Sequence, residues 1–280
     1  MDDYSFVDAE RRFGSLDRLY GAGGAARLRE GHVVIAGIGG VGSWCAEALA
    51  RCGVGRLTLI DLDHVAESNI NRQIHALGST LGQSKIVAMA QRIRDINPHC
   101  LVECVDDFVS PENVQGVVPA CADMLVDCTD QAAAKIALIL EARRRGQALV
   151  VCGGAGGKTR PLALRGGDLS QATNDALLSR LRNTLRRRHG FPRAADAAGK
   201  VRKRVPRMAV RALWFDQPAI LPAAWSASSS SEPLDAPQGL SCAGYGSVVM
   251  VTASMGLAAA DEAVHWLLRG SYSGVSSFNR

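Results

Sequence analysis

The hexapeptide Gly37-Ile38-Gly39-Gly40-Val41-Gly42 follows the apolar run Val33-Val34-Ile35-Ala36 and precedes a helical stretch from Ser43 to Arg51. Gly37, Gly39 and Gly42 have the spacing GxGxxG. A phosphate reaches a helix N-terminus only where the backbone turns tightly and no Cβ stands in the way. Asp61 lies nineteen residues past Gly42 and closes the next apolar run, Leu57 to Ile60. A carboxylate at that place can accept hydrogen bonds from ribose hydroxyls. The turn and the carboxylate together describe a nucleotide site, for which NAD is the usual ligand.

The residues beyond Asp61 argue for a different nucleotide. Asp63, Asn69, Arg72, Gln73 and Lys85 follow it, and two of these are cations. A triphosphate extends further than a dinucleotide's pyrophosphate bridge and needs that added positive charge. Asp127 and Asp130 follow a fourth apolar run, Met124-Leu125-Val126. Hard carboxylate oxygens suit magnesium, so Asp127 and Asp130 could both hold it, with Asp130 singled out as the ligand beside ATP. In an open α/β sheet all these positions fall at the C-terminal edge, where such sheets bind ligands.

The elements that must place these groups alternate. Strands are expected at 33–36, 57–60, 101–105, 124–126 and 148–152. Helices are expected at 43–51, 83–96, stopped by Asn97-Pro98, and 132–145. Alternation of this kind implies an α/β fold, a doubly wound and mainly parallel Rossmann-like sheet. Three regions are expected. Residues 1–30 form an N-terminal helical segment and 31–157 the nucleotide-binding domain. Residues 158–280 complete the sheet and the active site. Within this last part lie a flexible loop at 225–238, rich in serine, and a final helix at 244–268.

Composition narrows the class. The chain has 280 residues, of which 47% are hydrophobic and 21% charged, as in a folded globular protein. Met1 to Glu30 mixes acids, arginines and glycines without an apolar core, so no export signal is read there. The longest mostly apolar run, Ser247 to Ala260, is too short to span a bilayer and is expected to pack as a helix; an interfacial role stays open. Eight scattered cysteines form no CxxC pair, so no zinc site is expected and a reduced, cytoplasmic setting is the default. The net charge of +5 hides a contrast. Arg180 to Arg211 holds ten arginines and two lysines against Asp196, about +11, which leaves about −6 for the rest. Such a block favours a polyanion, of which nucleic acid is the commonest; a solvated helix face and loop is the alternative.

The glycine turn, Leu59-Ile60-Asp61-Leu62-Asp63, Ser68-Asn69-Ile70-Asn71-Arg72-Gln73, Lys85, Ile96-Asn97-Pro98 and Asp127-Cys128-Thr129-Asp130 together resemble the ThiF/MoeB family, bacterial relatives of ubiquitin-activating enzymes. That match covers about Arg12 to Gly157. Further segments extend it over nearly the whole chain and point to the family's tRNA-modifying dehydratase branch. They include Arg12-Phe13-Gly14, Ile74-His75-Ala76-Leu77, Asp106-Asp107-Phe108-Val109, Gly153 to Gly157 and Ser241-Cys242-Ala243-Gly244-Tyr245-Gly246.

The resemblance implies attack of a carboxylate on the α-phosphate of ATP. In the tRNA-modifying branch, the threonylcarbamoyl group of an adenosine then closes into a ring. By the same analogy, Asp61 binds ribose and Asn69, Arg72 and Lys85 bind phosphates. Gly37, Gly39, Gly40, Gly42, Asp63, Gln73, Asp127 and Asp130 complete the nucleotide site. The catalytic set is Arg72, Lys85, Asp130 and Cys242. It also implies a homodimer, with tRNA on the basic block.

Two departures are visible. The two zinc-binding CxxC pairs of protein-activating members are missing. The N-terminal Arg-Tyr-x-Arg stretch, which supplies an arginine across their dimer, reads Arg12-Phe13-Gly14-Ser15, leaving Arg12 or Arg18 to substitute. Both lower the case for an adenylyltransferase of a ubiquitin-like or sulfur-carrier protein, which remains the alternative, with an NAD oxidoreductase behind it. Cys242 is either a thiol near the substrate, open to a cysteine-desulfurase or sulfur-acceptor partner, or a packed cysteine beside small residues.

Overall fold

The computed structural model describes residues 8–196, 200, 202–221 and 245–273. Cys242, the expected loop at 225–238 and the expected helix start at Gly244 lie outside them. The strands are β1 (His32–Ala36), β2 (Arg56–Ile60), β3 (Leu101–Val105), β4 (Met124–Asp127), β5 (Ala148–Cys152), β6 (Leu164–Asp168) and β7 (Arg211–Phe215). They form one sheet in the order β3-β2-β1-β4-β5-β7-β6, parallel except for β6, which pairs antiparallel with β7. The fold class expected from the alternation is therefore the one observed. Strands β6 and β7 come from beyond residue 158 yet extend the same sheet.

Three short helices precede the sheet: α1 (Ala9–Phe13), α2 (Ser15–Tyr20) and α3 (Gly24–Glu30). The crossovers carry α4 (Gly42–Arg51), α5 (Lys85–Ile96), α6 (Val114–Val117), α7 (Ala132–Arg145) and α8 (Ala176–Arg188), and α9 (Val249–Arg269) follows β7. Side chains alternate along each buried strand, and this divides the core in two. Val33 and Ile35 of β1 join Met124 and Val126 of β4 under α4, α5 and α9. Val34 and Ala36 join Leu125 under α7 and α8. Helices on both faces explain why β1, β4 and β5 are buried end to end. The edge strands β3 and β6 are the exceptions, and Leu101 of β3 is 68% exposed.

Helix α9 lies across α4. A Cβ on Gly256 would stand 2.4 Å from the Val41 carbonyl oxygen, so the crossing requires glycine there. It runs from Val249 to Arg269, and Gly270 beyond it, with φ of +64°, is the left-handed stop that glycine accepts without strain. Among the described residues no helix is long and apolar enough to cross a membrane.

Candidate active site

The strand order reverses between β1 and β4, and a cleft of about 370 Å³ opens beyond their C-terminal ends. The glycine turn forms its floor. Gly37 has φ +87° and donates its N–H to the Ile60 carbonyl at 2.8 Å. A Cβ on Gly42 would meet the Gly37 carbonyl oxygen at 1.8 Å, so glycine there lets α4 start tight against the turn. At Gly39 a Cβ would find only the Gln73 Nε2 at 4.0 Å, which leaves room above that residue for a ligand.

Asp61 stands at the end of β2 and fastens the turn. One carboxylate oxygen accepts the Ile38 N–H at 2.5 Å and the other the Asp63 N–H at 2.9 Å. Burial pushes its pKa up, against the charge of Lys85 and these two N–H bonds. Lys85 is the first residue of α5, buried with 6% exposed, and its Nζ lies 2.7 Å from Asp63. A cation at the positive end of a helix is unfavourable. The exposed Asp63 offsets only part of that cost, so an anion bound beside Lys85 would gain strongly.

Arg72 is held by its backbone. Its carbonyl accepts from Trp44 Nε1 at 3.0 Å and Thr252 Oγ at 3.3 Å, which tie it to α4 and α9. Its guanidinium donates to the Ser68 carbonyl at 2.6 Å and to Asn71 Oδ1 at 3.0 Å. Gly37, Gly39, Gly40, Asp61, Asp63, Arg72, Gln73, Lys85 and Asp130 all line the cleft. Asp130 makes no ion pair with a described residue, so its carboxylate is available to a cation.

Three expected site residues stand elsewhere. Asp127 is fully buried, and its Oδ1 lies 3.1 Å from the Nζ of Lys135, itself fully buried. The same oxygen accepts from the Thr129 N–H and Oγ at 3.0 and 2.7 Å. Asp127 thus shapes the loop to Asp130 and does not line the cleft, although its Oδ2 has no partner among the described residues. Asn69 is buried, and its Oδ1 caps a turn by accepting the Ala66 N–H at 3.0 Å. Gly42 packs against Gly37 beneath the cleft. Lys135, Trp44 and Thr252 went unread in the sequence. Only Lys135 left a sign, a single charge within the apolar run of α7.

Of the two candidate arginines, Arg12 is engaged: its guanidinium donates to the Asp95 and Ile96 carbonyls and closes the C-terminus of α5. Arg18 is exposed and makes no hydrogen bond or ion pair with a described residue. The basic block also divides. Arg182 donates to the Leu169 and Ala172 carbonyls, Arg186 to that of Pro192, and Arg211 pairs with buried Glu262 at 2.5 Å. Arg180, Arg187, Arg188, Lys200, Arg202, Lys203 and Arg204 stay exposed.

His75 follows Arg72 and Gln73, but it belongs to the core. It is 2% exposed, and neither ring nitrogen has a partner among the described residues. Burial, aided by Lys85 and Arg92, pulls its pKa down to about 4. An unfolded imidazole titrates near 6.5, so the unfolded chain binds the extra proton between those values. The stability this group protects is whole above pH 6.5 and is lost as pH falls towards 4, by about 2 kcal/mol at pH 5. In His75→Leu, the drop in melting temperature between pH 7.5 and 5 should shrink accordingly. An unchanged drop would show that the imidazole does not titrate as its surroundings require.

A glycine-turn floor, a carboxylate at the ribose position and two cations beyond it define an α/β protein that binds a nucleotide at the switch point of its sheet. The chain belongs to the ThiF family, whose model matches residues 14–278. It is 38% identical to the tRNA threonylcarbamoyladenosine dehydratase of Haemophilus influenzae, over 93% of this chain and 94% of that protein. It is also 38% identical to the protein of that name from Escherichia coli, over 91% and 92%. A crystal structure of the E. coli dehydratase in complex with ATP superposes with a TM-score of 0.79 at 36% identity, covering 94% of this chain and 97% of that one.

Proposed function

We propose that this protein dehydrates threonylcarbamoyladenosine in tRNA to its cyclic form, driven by ATP through adenylation of the side-chain carboxylate. The observation that carries the reading is the meeting of Arg72 and buried Lys85 with the glycine turn and Asp61 in one cleft. Full-length likeness to the dehydratases supports the choice of acceptor.

Each residue then has a task. The backbone above Gly39 gives phosphate room to approach, and Asp61 accepts from ribose. A carboxylate oxygen of the acceptor attacks the α-phosphorus, and the bond from that phosphorus to the bridging oxygen breaks. Arg72 and Lys85 stabilise charge building on the α-phosphate and the departing pyrophosphate. The carboxylate is already a nucleophile and needs no general base. A nucleophilic atom of the same side chain next attacks the acyl carbon and loses its proton, and AMP leaves with the oxygen that dehydration removes. Magnesium bound with ATP would neutralise phosphate charge, and the free carboxylate of Asp130 fits that role, since this ion is commonly held by one carboxylate and the phosphates. A cytoplasmic homodimer, in which Arg18 reaches the partner's cleft, completes the reading and rests on the family resemblance.

Incubating the protein with ATP and tRNA that carries the modification should convert the nucleoside to a product lighter by one water, read by mass analysis of tRNA nucleosides. Conversion without ATP, or pyrophosphate exchange only with a ubiquitin-like protein, would overturn the proposal. The exposed cations of α8 and the loop after it are the surface for the tRNA backbone. Arg187→Ser with Arg188→Ser should weaken tRNA binding and lower the slope of log affinity against log salt by about 1 to 2. An unchanged slope would return these arginines to the role of a solvated helix end.

A further inference from the structure

A second cavity, of about 600 Å³, adjoins the cleft and shares Asp130, Gln131, Gly154 and Leu177 with it as walls. Pockets of roughly 300–1,000 Å³ accept ligands of drug size. Its construction is firm. Lys158 is buried and donates its Nζ to the carbonyls of Asn174, at 2.7 Å, and of Gln217. Asp175 accepts the Gly154 N–H and the Leu178 N–H, both at 2.8 Å, so one carboxylate fixes the shared wall and also caps α8. A Cβ on Gly153 would stand 2.2 Å from that carboxylate.

The space left between these fixed points is bounded in part by small side chains, among them Ala133, Ala176 and Ala219, and also by Leu177 and Tyr245. Helix α7 starts there with no side-chain cap, so its first N–H groups suit an anion. Arg180 stands at the α8 side of the cavity, and Arg187 follows it seven residues, about two turns, along the same helix face. A basic track on α8 therefore leads to the cavity, and the cavity opens onto the nucleotide cleft.

We infer that the second cavity receives the acceptor nucleoside, unstacked from single-stranded RNA, with its carboxylate crossing the shared wall at Asp130 and Gly154 towards the ATP α-phosphate. The inference rests on the proposed reaction and adds the place of the acceptor. Sequence-specific RNA recognition commonly splays a base out of its strand, and enzymes acting on a base take it into a fitted pocket. Flanking phosphates would then meet Arg180 and Arg187. The small residues explain how a modified, and so enlarged, nucleoside is admitted.

The test fills the cavity without touching the ATP cleft. Ala176→Trp and Ala219→Trp, made separately in the full chain, should bind ATP within about twofold of the parent and raise KM for modified tRNA by about tenfold or more. Two variants guard against one misfolding. Parental kcat/KM for tRNA in both, or equal losses of ATP and tRNA binding, would overturn the assignment. A parent protein that converts no modified tRNA would instead overturn the reaction and take the assignment with it. Dehydration by the parent together with undiminished dehydration by the variants would remove the cavity's role and leave the reaction standing.

Discussion

Lys85→Ala is expected to lower ATP-dependent turnover by about 10²–10⁴-fold while the protein stays folded. The Nζ is the only positive group supplied by α5 to the cleft, and it lies at the helix end where positive charge costs most. Its one ion-pair partner among the described residues, Asp63, is 73% exposed. Removing the lysine leaves Asp63 in solvent and leaves Asp61 its bonds from the Ile38 and Asp63 N–H groups, and the helix sheds an unfavourable charge. Arg72→Ala should give a loss of similar size. Its backbone carbonyl, not its side chain, holds the bonds to Trp44 and Thr252, so the loop remains in place. Steady-state rates with modified tRNA, beside circular dichroism and melting curves, separate the two properties. Full activity in either variant would remove that residue from phosphate binding. A collapse of the fold would mean that the cation is structural.

The second large effect falls on stability. Lys135→Met should cost about 3–5 kcal/mol, because it leaves the Asp127 carboxylate buried with no opposing charge. In a domain of this size that corresponds to a fall in melting temperature of roughly 10 °C. The two groups are both fully buried, and at 3.1 Å they form an ion pair, though the lysine makes no aligned hydrogen bond. Adding Asp127→Asn should restore most of the loss, since the amide can still accept from Thr129. Denaturant titration of both single variants and the double gives the coupling directly. A cost below about 1 kcal/mol for Lys135→Met, with no coupling, would show that the pair contributes little.

The first half of the chain was readable because its strands are short apolar runs that end in a glycine or an acid. The expected 101–105 and 148–152 strands and the 132–145 helix agree with the structure to the residue. Strand β6 gave no such signal. It is an edge strand containing Gly166 and Gly167, and its side chains need not be apolar. Helix α8 stands out in the sequence by its charge, although Leu178, Leu181 and Leu185 keep a helical spacing and are fully buried. In the site, the cleft collected Asp61, Asp63, Arg72, Lys85 and Asp130, of which Asp130 alone has no partner among the described residues. Asp127 was misplaced for a physical reason. Whether a carboxylate at a strand end faces a ligand or a lysine depends on how the next helix packs, which spacing along the chain does not record.

The contact of α9 with α4 bears on how the protein is made. The helix that braces the nucleotide turn is the last described element, closing at Arg269, while the turn itself lies before residue 43. Until α9 has left the ribosome, Val41, Trp44 and Cys45 at the start of α4 lack the helix that packs closely against them. The nucleotide site therefore forms late in synthesis, and an incomplete chain offers ATP no finished floor.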